Sequence, residues 1–336
     1  MGESTRGREA GRGERVVPGL WRLRLPMPWP GVPHGNAWAV KAGDGVVLFD
    51  CGYHDERSLA ELERALAMCG LRLEDVRLLV CTHAHEDHYG EAAAVLRRAG
   101  CELWMHPRYE HARARVEDEQ GWLAARIALG RASGVPEEPL ACFAARFGRE
   151  PAGIEAIVAP DRELLDGVVV ETDLGPWVAY ETPGHAPSHV CLFQPDRRML
   201  ISGDHVLGRV TLYFDYGYTP DPVGEFLASL DKVEALRARL ALSGHGRTFA
   251  DVQAHVDATR ALVARRLASA TRAIAERGPI CAYELAAHVY DDETIVPEMA
   301  AWRVAETLCY LAHLELRGDV ARERDDGLEL WRPAGG

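Results

Sequence analysis

The stretch CTHAHEDHYG, from Cys81 to Gly90, places four potential metal ligands within six residues: His83, His85, Asp87 and His88. An apolar run precedes the stretch and an alanine-rich run follows it, so it is predicted to lie where a strand ends and a helix begins. A single histidine is most often a half-buried structural residue. Four ligand-type side chains at one turn crowd polar groups in a way that a bound cation offsets. The stretch therefore predicts a divalent metal site on a loop that a sheet holds in place.

Further candidate ligands follow later strand-like runs. The segments ETPGHAPSHV, LISGDHVL and LALSGHG contain His185, Asp204 and His245, each beside a glycine. Glycine permits the backbone bends that aim a side chain at a common point. One cluster holds too few ligands for two ions, so the recurrence of these residue types at later strand ends favours a site with two metals.

The ordered motifs HxHxDH, GH, GD and GH resemble those of the metallo-β-lactamase superfamily, over roughly Val16 to Asp251. The resemblance implies an α/β fold, the αββα sandwich, in which two β-sheets are faced by helices and the metals lie at one edge. It also implies the ligands. The first metal would take His83, His85 and His185, the second Asp87, His88 and His245, with Asp204 bridging both.

The resemblance implies a dinuclear metal-dependent hydrolase in which Asp87 and Asp204 are the catalytic carboxylates. The cofactors would be two divalent ions, zinc first, with manganese or iron as alternatives for the same ligand types. Two cations about 3.5–4 Å apart share a hydroxide, because metal binding lowers the pKa of water from about 15.7 toward 7. Cys81 and Cys191 lie near ligands but are interpreted as small apolar strand residues rather than nucleophiles.

Other residues are predicted to support the site or to contact substrate. His189 and Asp50 are expected to orient ligands by hydrogen bonding. His205 adjoins Asp204, and adjacent residues on a strand point to opposite faces, so no role is assigned to it. The candidate substrate-binding residues come from the aromatic segment RVTLYFDYGYTPDP and from an early strand, and they are Tyr213, Tyr216, Tyr218, His34 and Asn36.

The pattern of elements divides the chain into three parts. Residues 1–15 are rich in Gly, Arg and Glu and are predicted to be a flexible tail. Residues 16–255 are predicted to form the catalytic domain, with a helical stretch at 108–147 that is either a cap over the site or plain packing. Residues 256–336 read as three helices and a hairpin, which resembles a winged-helix domain.

The substrate class follows from resemblance alone. A C-terminal module of this pattern resembles the one in the hydroxyacylglutathione hydrolase-like, thioesterase branch, which implies a thioester or related activated acyl ester, free or carrier-bound. Lactone or β-lactam hydrolysis and cleavage of RNA or another phosphodiester are the alternatives. Sulfur dioxygenases and diiron flavoproteins share part of the motif, but His85 and His245 favour the dinuclear hydrolase. A purely regulatory metal protein is disfavoured because structural sites close with four ligands.

Composition narrows the partners and the compartment. The 336 residues carry a formal net charge of -13, which disfavours nucleic acid, and the winged-helix-like part is expected to pack on the catalytic domain or on a second copy. The eight cysteines are scattered without a CxxC pair, which favours a reduced, cytoplasmic chain. No run approaches the roughly 18 apolar residues of a membrane span.

Overall fold

The computed structural model of the protein describes residues 10–29, 31–290 and 297–335. Its strands are β1 (Arg12–Val17), β2 (Leu20–Trp29), β3 (Val32–Ala42), β4 (Gly45–Phe49), β5 (Val76–Val80), β6 (Glu102–Met105), β7 (Arg162–Glu163), β8 (Val169–Val170), β9 (Trp177–Glu181), β10 (Val190–Gln194), β11 (Met199–Gly203), β12 (Leu240–Ser243), β13 (Ile280–Cys281), β14 (Val320–Asp325) and β15 (Leu328–Pro333). Its helices are α1 (Ser58–Met68), α2 (Glu86–Tyr89), α3 (Ala92–Ala99), α4 (Glu110–Glu117), α5 (Glu119–Ala132), α6 (Glu137–Phe147), α7 (Pro222–Leu236), α8 (Val252–Arg277), α9 (Ala282–Val289) and α10 (Ala300–Leu316).

Two β-sheets pack face to face between layers of helices. The first has the order β1-β2-β3-β4-β5-β6-β7, and the second has the order β12-β11-β10-β9-β8. Side chains alternate along each strand, so one face of a central strand packs against the other sheet and the opposite face packs against helices. In β3, Trp38 and Val40 belong to the cluster between the sheets, whereas Ala37 and Ala39 face helices α1 and α3. The αββα sandwich predicted from the motifs is confirmed.

Parallel strand pairs bring the ligand-bearing loops to one edge of the sandwich. In the first sheet β5 pairs in parallel with β4 and β6, and in the second β11 pairs in parallel with β12. Parallel neighbours end at the same edge of a sheet. The loop that follows β5 carries the opening motif, while Asp204 and His245 come just after β11 and β12. The topology thus gathers motifs that lie far apart in the sequence.

The N-terminal prediction is wrong for residues 12–15. They belong to β1, which pairs antiparallel with β2, because backbone hydrogen bonding does not require the apolar side chains that this segment lacks. The strand also packs closely on α1, where a Cβ on Gly13 would lie 2.1 Å from the carbonyl oxygen of Ala65. The rest of the predicted tail, residues 1–9, lies outside the described residues.

The C-terminal region contains the predicted helices α8, α9 and α10 and the predicted hairpin of β14 and β15. A short strand that was not predicted, β13, completes a third sheet in the order β13-β15-β14. The predicted boundary between residues 255 and 256 falls inside α8, so it does not coincide with a break in secondary structure. Leu308 of α10 and Phe226 of α7 also share one hydrophobic cluster. The assignment as a winged-helix domain stays a prediction.

The helical stretch at 108–147 forms α4, α5 and α6. Trp122, Phe143 and Phe147 of this stretch are buried together with Ala301 of α10, and Trp302 packs against them. The insertion is therefore joined to the C-terminal helix by an aromatic cluster. Within the described ranges, no helix combines the length and apolar character that crossing a membrane requires.

Candidate metal centre and its cavity

The seven side chains predicted as metal ligands meet at the edge of the sandwich. They form two groups, each with potential ligand atoms within 4.8 Å of one another: His83, His85 and His185 in the first, and Asp87, His88, Asp204 and His245 in the second. Asp204 lies between the groups, since its Oδ2 is 3.2 Å from His245 Nε2 and 3.9 Å from His185 Nε2. The structure thus brings together residues that are as far apart in the sequence as 83 and 245.

Hydrogen bonds fix which ring nitrogen faces inward in the first group. His85 Nε2 donates to Asp215 Oδ2 at 2.8 Å, and His185 Nδ1 donates to the backbone carbonyl of Tyr213 at 3.1 Å. In neutral rings the other nitrogens, His85 Nδ1 and His185 Nε2, then carry lone pairs, and they face each other at 3.0 Å. Two lone pairs at this distance repel one another, so a cation belongs between them. Without a metal that cation is a proton: burial lowers the pKa of His85, but the facing Asp215 outweighs it and raises this pKa to about 9. A metal ion would take the place of that proton.

His83 follows the same pattern. The Thr82 hydroxyl donates to Asp50 Oδ2 at 3.0 Å, so its oxygen accepts from His83 Nδ1, also at 3.0 Å. The lone pair of His83 therefore lies on Nε2, which is buried and has no hydrogen-bond partner among the described residues. Buried polar atoms without partners are rare, and this one is available to a metal ion.

The second group adds two carboxylates. His88 Nδ1 donates to Asp50 at 2.9 Å, which leaves Nε2 buried without a hydrogen-bond partner in the described chain. His245 Nε2 lies 3.0 Å from Asp87 Oδ2. Asp204 Oδ1 lies 3.4 Å from His88 Nε2 and is likewise buried without a hydrogen bond within the described ranges. Neutral imidazole nitrogens and carboxylate oxygens are ligands that zinc, manganese and iron accept. The residues fit divalent cations.

The electrostatics of His83 and His185 differ from those of the second group. Burial lowers the pKa of His83 well below its ordinary value and that of His185 to about 4, which keeps these rings in the neutral form that binds metals. Burial would raise the pKa of Asp204, but the facing His245 and His88 outweigh it and hold this pKa well below its usual range. Against the effect of burial, the carboxylates raise the pKa of His245 to about 10. The ionised carboxylates of the second group therefore favour a positive charge beside them, either a proton on His245 or a metal ion.

Two residues predicted to support the site contact its ligands. Asp50 accepts hydrogen bonds from His88 and from the backbone amide of Thr82, the latter at 2.7 Å. His189 Nε2 accepts from the backbone amide of Asp204 at 3.1 Å, so it holds the loop that carries this carboxylate. His205 is buried with its ring 4.5 Å from that of Phe226, and it is in neither ligand group.

Asp215 was missed by sequence reasoning, although its segment was singled out for its tyrosines. Its carboxylate is buried, orients His85 and accepts a hydrogen bond from the Tyr213 hydroxyl at 3.0 Å. An acidic residue between four aromatics was the available signal, since a buried carboxylate requires a partner. His111 was also missed. It joins His85 and Asp215 in a third group of ligand-type atoms, but no local motif marks it in the sequence.

A cavity of about 800 Å³ opens beside the ligand groups. Three of the residues predicted to bind substrate line it: His34, Tyr213 and Tyr218. The helical insertion contributes Trp122 and Phe147 to its walls, and α10 contributes Trp302. We call these three residues the aromatic wall. The insertion thus both packs against the C-terminal helix and encloses the cavity.

Asn36 and Tyr216 were also predicted as substrate contacts, but neither side chain lines this cavity. Asn36 is buried, accepts a hydrogen bond from Arg22 Nε at 2.9 Å and donates to the carbonyl of Ser243 at 2.8 Å. It thereby joins the first sheet to the loop of His245. Tyr216 packs against the hydrophobic cluster of the C-terminal helices, on the other side of the segment from Tyr213.

Comparison with known proteins identifies the family. The sequence profile of the metallo-beta-lactamase superfamily matches residues 30–245. The chain belongs to this superfamily. The crystal structure of a metallo-beta-lactamase family protein from Thermus thermophilus aligns over 95% of this chain and 100% of that chain, with a TM-score of 0.79 and 27% sequence identity.

Relatives with thioesterase names are among the proteins that this chain resembles. The chain is 28% identical over 185 residues to an atrochrysone carboxyl ACP thioesterase from Aspergillus chevalieri, a match that spans 51% of this chain and 57% of that relative. It is 29% identical over 226 residues to an acyl-coenzyme A thioesterase from Homo sapiens, which spans 64% of this chain and 74% of that relative. The first match thus covers little more than half of the relative's length.

Proposed function

We propose that this protein is a hydrolase that uses two divalent metal ions, zinc first among them, to cleave thioesters of acyl groups. His83, His85 and His185 would hold one ion, Asp87, His88 and His245 the other, and Asp204 would contact both. The observation that carries this proposal is the convergence of seven ligand-type side chains in two adjoining groups, with His83 Nε2 buried and without a hydrogen-bond partner among the described residues.

Bound divalent ions would lower the pKa of water and so supply an attacking hydroxide near neutral pH. The chain's own residues keep the ligands in place for this chemistry. Asp215 fixes the ring of His85, Asp50 fixes that of His88, and His189 holds the backbone of Asp204. Such outer hydrogen bonds set the tautomer and orientation of ligating histidines.

A thioester substrate is supported by the names of the two relatives and by the shape and lining of the cavity. Hydrolysis adds water to the acyl carbon, breaks the carbon–sulfur bond and releases a carboxylic acid and a thiol. A thiol is a good leaving group, so this bond does not require a strong general acid. The aromatic wall offers an apolar surface for the acyl chain, which would bury it away from water.

The test is a parallel screen of the purified protein against acyl thioesters, lactones, β-lactams and RNA, together with metal analysis. We expect close to two metal ions per chain, thioester hydrolysis that a chelator abolishes, and recovery when zinc is added back. Hydrolysis of lactones or β-lactams with no thioester activity would contradict the proposed substrate class but not the proposed metal site. Activity on RNA alone, or metal-independent activity, would contradict the proposal.

For residues 256–336 we propose a winged-helix-like unit that serves packing or self-association rather than DNA binding. Its hydrophobic side chains share a cluster with α7 and the second sheet, which supports a packing role. Light scattering on the full chain would give the number of subunits. A DNA-binding assay at low salt would test the alternative role. Tight DNA binding would contradict this role.

A further inference from the structure

Arginine side chains bring positive charge to the cavity, apart from the metal-ligand groups. Four arginines line it among the described residues: Arg115, Arg126, Arg146 and Arg209. Arg115 pairs with Glu86 at 2.9 Å and Arg146 pairs with Glu150 at 3.0 Å, so both charges are neutralised locally. Arg209 is exposed. Arg126 is half-buried, and within the described ranges no carboxylate lies within ion-pair distance of it.

Arg126 is held in place by aromatic rings. Its guanidinium carbon lies 5.7 Å from the ring centroid of Trp122 and 5.7 Å from that of Trp302. Burial raises the pKa of Tyr218, and the charge of Arg126 acts against that rise, which places the guanidinium near the phenol. A hydrogen bond to the Tyr218 oxygen and the contacts with ring faces immobilise the guanidinium, and its other N–H groups are available to an oxyanion.

A half-buried charge without a counter-ion is costly, and an anion that entered the cavity would offset the cost. A carboxylate matches one guanidinium, because its two oxygens accept two parallel hydrogen bonds. A phosphate carries more charge and more hydration, and the neighbouring Arg115 and Arg146 are already paired with glutamates. One half-buried guanidinium held between two aromatic rings therefore favours a carboxylate over a phosphate.

We propose that Arg126 binds a carboxylate on the acyl part of the substrate, so that the cavity selects acyl thioesters with an acid group away from the scissile bond. The inference rests on the proposed thioesterase function and narrows its substrate class. The metal-ligand groups would act on the thioester, the aromatic wall would contact the carbon chain, and Arg126 would receive the acid group.

The kinetic test compares octanoyl with suberyl thioesters, which have the same number of carbons and differ in the terminal carboxylate. Each is made both with N-acetylcysteamine, which has no phosphate, and with coenzyme A. We expect Arg126→Met to lower kcat/KM for suberyl thioesters by about ten- to a hundredfold, with octanoyl thioesters changed by less than about threefold. Arg126→Lys should fall between, because lysine keeps the charge and loses the fork.

Arg131→Met is the matched control, since Arg131 is on the same helix but pairs with Glu137 on the surface. It should leave the preference between suberyl and octanoyl thioesters unchanged. An equal loss on both acyl groups in Arg126→Met would overturn the inference. A loss that follows coenzyme A rather than the acyl carboxylate would also overturn it, and would assign a phosphate to Arg126.

A binding measurement separates this inference from the proposed function. Calorimetric titration of the metal-loaded protein with monomethyl suberate measures carboxylate binding whether or not any thioester is cleaved. We expect Arg126→Met to weaken binding about tenfold or more and Arg131→Met to leave it unchanged. Equal affinity in the wild type and Arg126→Met would overturn the inference even if thioesters are hydrolysed.

Discussion

The metal-ligand end of the cavity and the aromatic wall differ in how the chain builds them. At the metal-ligand end, each loop follows directly on a strand: Asp204 comes right after β11, and His245 soon after β12. The wall joins Trp122 and Phe147 of the insertion to Trp302 of a helix far along the chain. The first depends on strand ends with local motifs, the second on long-range packing. The two ends should therefore respond separately to mutation.

Asp204→Ala should have the largest effect, because it removes the carboxylate that lies between both ligand groups. We expect loss of at least about a thousandfold in turnover and a fall in the metal content of both groups, with the aromatic wall intact. Metal analysis and kinetics on the best substrate of the screen check this. Asp257→Ala, an exposed acid on α8, is the control. Near-normal turnover of Asp204→Ala would refute the two-metal mechanism.

Asp215→Asn should have the next largest effect, because the carboxylate orients His85 from outside the ligand groups. An amide accepts a weaker hydrogen bond, so metal affinity should fall by about ten- to a hundredfold. Titration with a competing chelator measures this, and added zinc should restore much of the activity. Such rescue distinguishes a positioning residue from a catalytic one.

Asp221→Asn is the matched control for Asp215→Asn. Asp221 also pairs with a histidine, His313, at 3.0 Å, but that histidine belongs to no ligand group among the described residues. Asp221→Asn should leave metal affinity unchanged. If both variants lost metal equally, the effect would reflect general destabilisation and not the orientation of His85.

The convergence of the ligand-type residues could be predicted because it follows from local rules, whereas the fold was predicted from the resemblance of the ordered motifs to the superfamily. The segment Val76–Val80 is apolar except for Arg77 and ends just before His83, so the strand and the loop that carries this ligand can be placed without knowledge of the rest. Asp50 directly follows β4 and was predicted because it resembles the acidic residue that follows an early strand in the family. Parallel strands then bring such loops to one edge.

The parts that were missed depend on which side of a segment faces the cavity. In the segment from residue 209 to 222, Tyr213 and Asp215 face the site, whereas Tyr216 packs against the C-terminal helices. The segment has no helix or strand between β11 and α7 and therefore no periodicity from which facing could be inferred. Arg126 depends on α10 packing against α5, a contact that no local pattern encodes.

Trp302→Ala should have a smaller and different effect from the two carboxylate variants. The indole lies 5.4 Å from the ring of Tyr213 and flanks Arg126, so its loss should enlarge the cavity and weaken contacts with the acyl chain. We expect KM for long acyl thioesters to rise about three- to tenfold while metal content stays unchanged.

The control for Trp302→Ala is Trp104→Ala, a half-buried tryptophan on β6 that does not line the cavity. It should lower thermal stability without a change in KM. Loss of metal in Trp302→Ala would mean that the aromatic wall supports the ligands. The two ends of the cavity would then not be independent.

Glu91→Gln should have the smallest effect and should act on stability alone. Glu91 is buried directly before α3, outside the cavity, with His54 Nδ1 at 3.0 Å and with Glu155 and Asp55 nearby. Burial raises the pKa of Glu91 to about 7, which the facing His54 only partly counteracts. The folded state therefore binds this proton more tightly than the unfolded state does. The resulting stabilisation is complete below the ordinary glutamate pKa and is lost as pH rises through about 7.

Between pH 5 and pH 8, the free energy of unfolding of the wild type should fall by about 1 to 2 kcal/mol relative to Glu91→Gln. Chemical denaturation at several pH values measures the difference, in which the titration of groups that do not contact Glu91 cancels. Glu276→Gln, an exposed glutamate on α8, should run parallel to the wild type. A parallel course for Glu91→Gln would mean that Glu91 titrates normally. If kcat/KM is unchanged in Glu91→Gln, then activity at the metal-ligand end depends on the ligands and on the hydrogen bonds that orient them, and not on this buried glutamate.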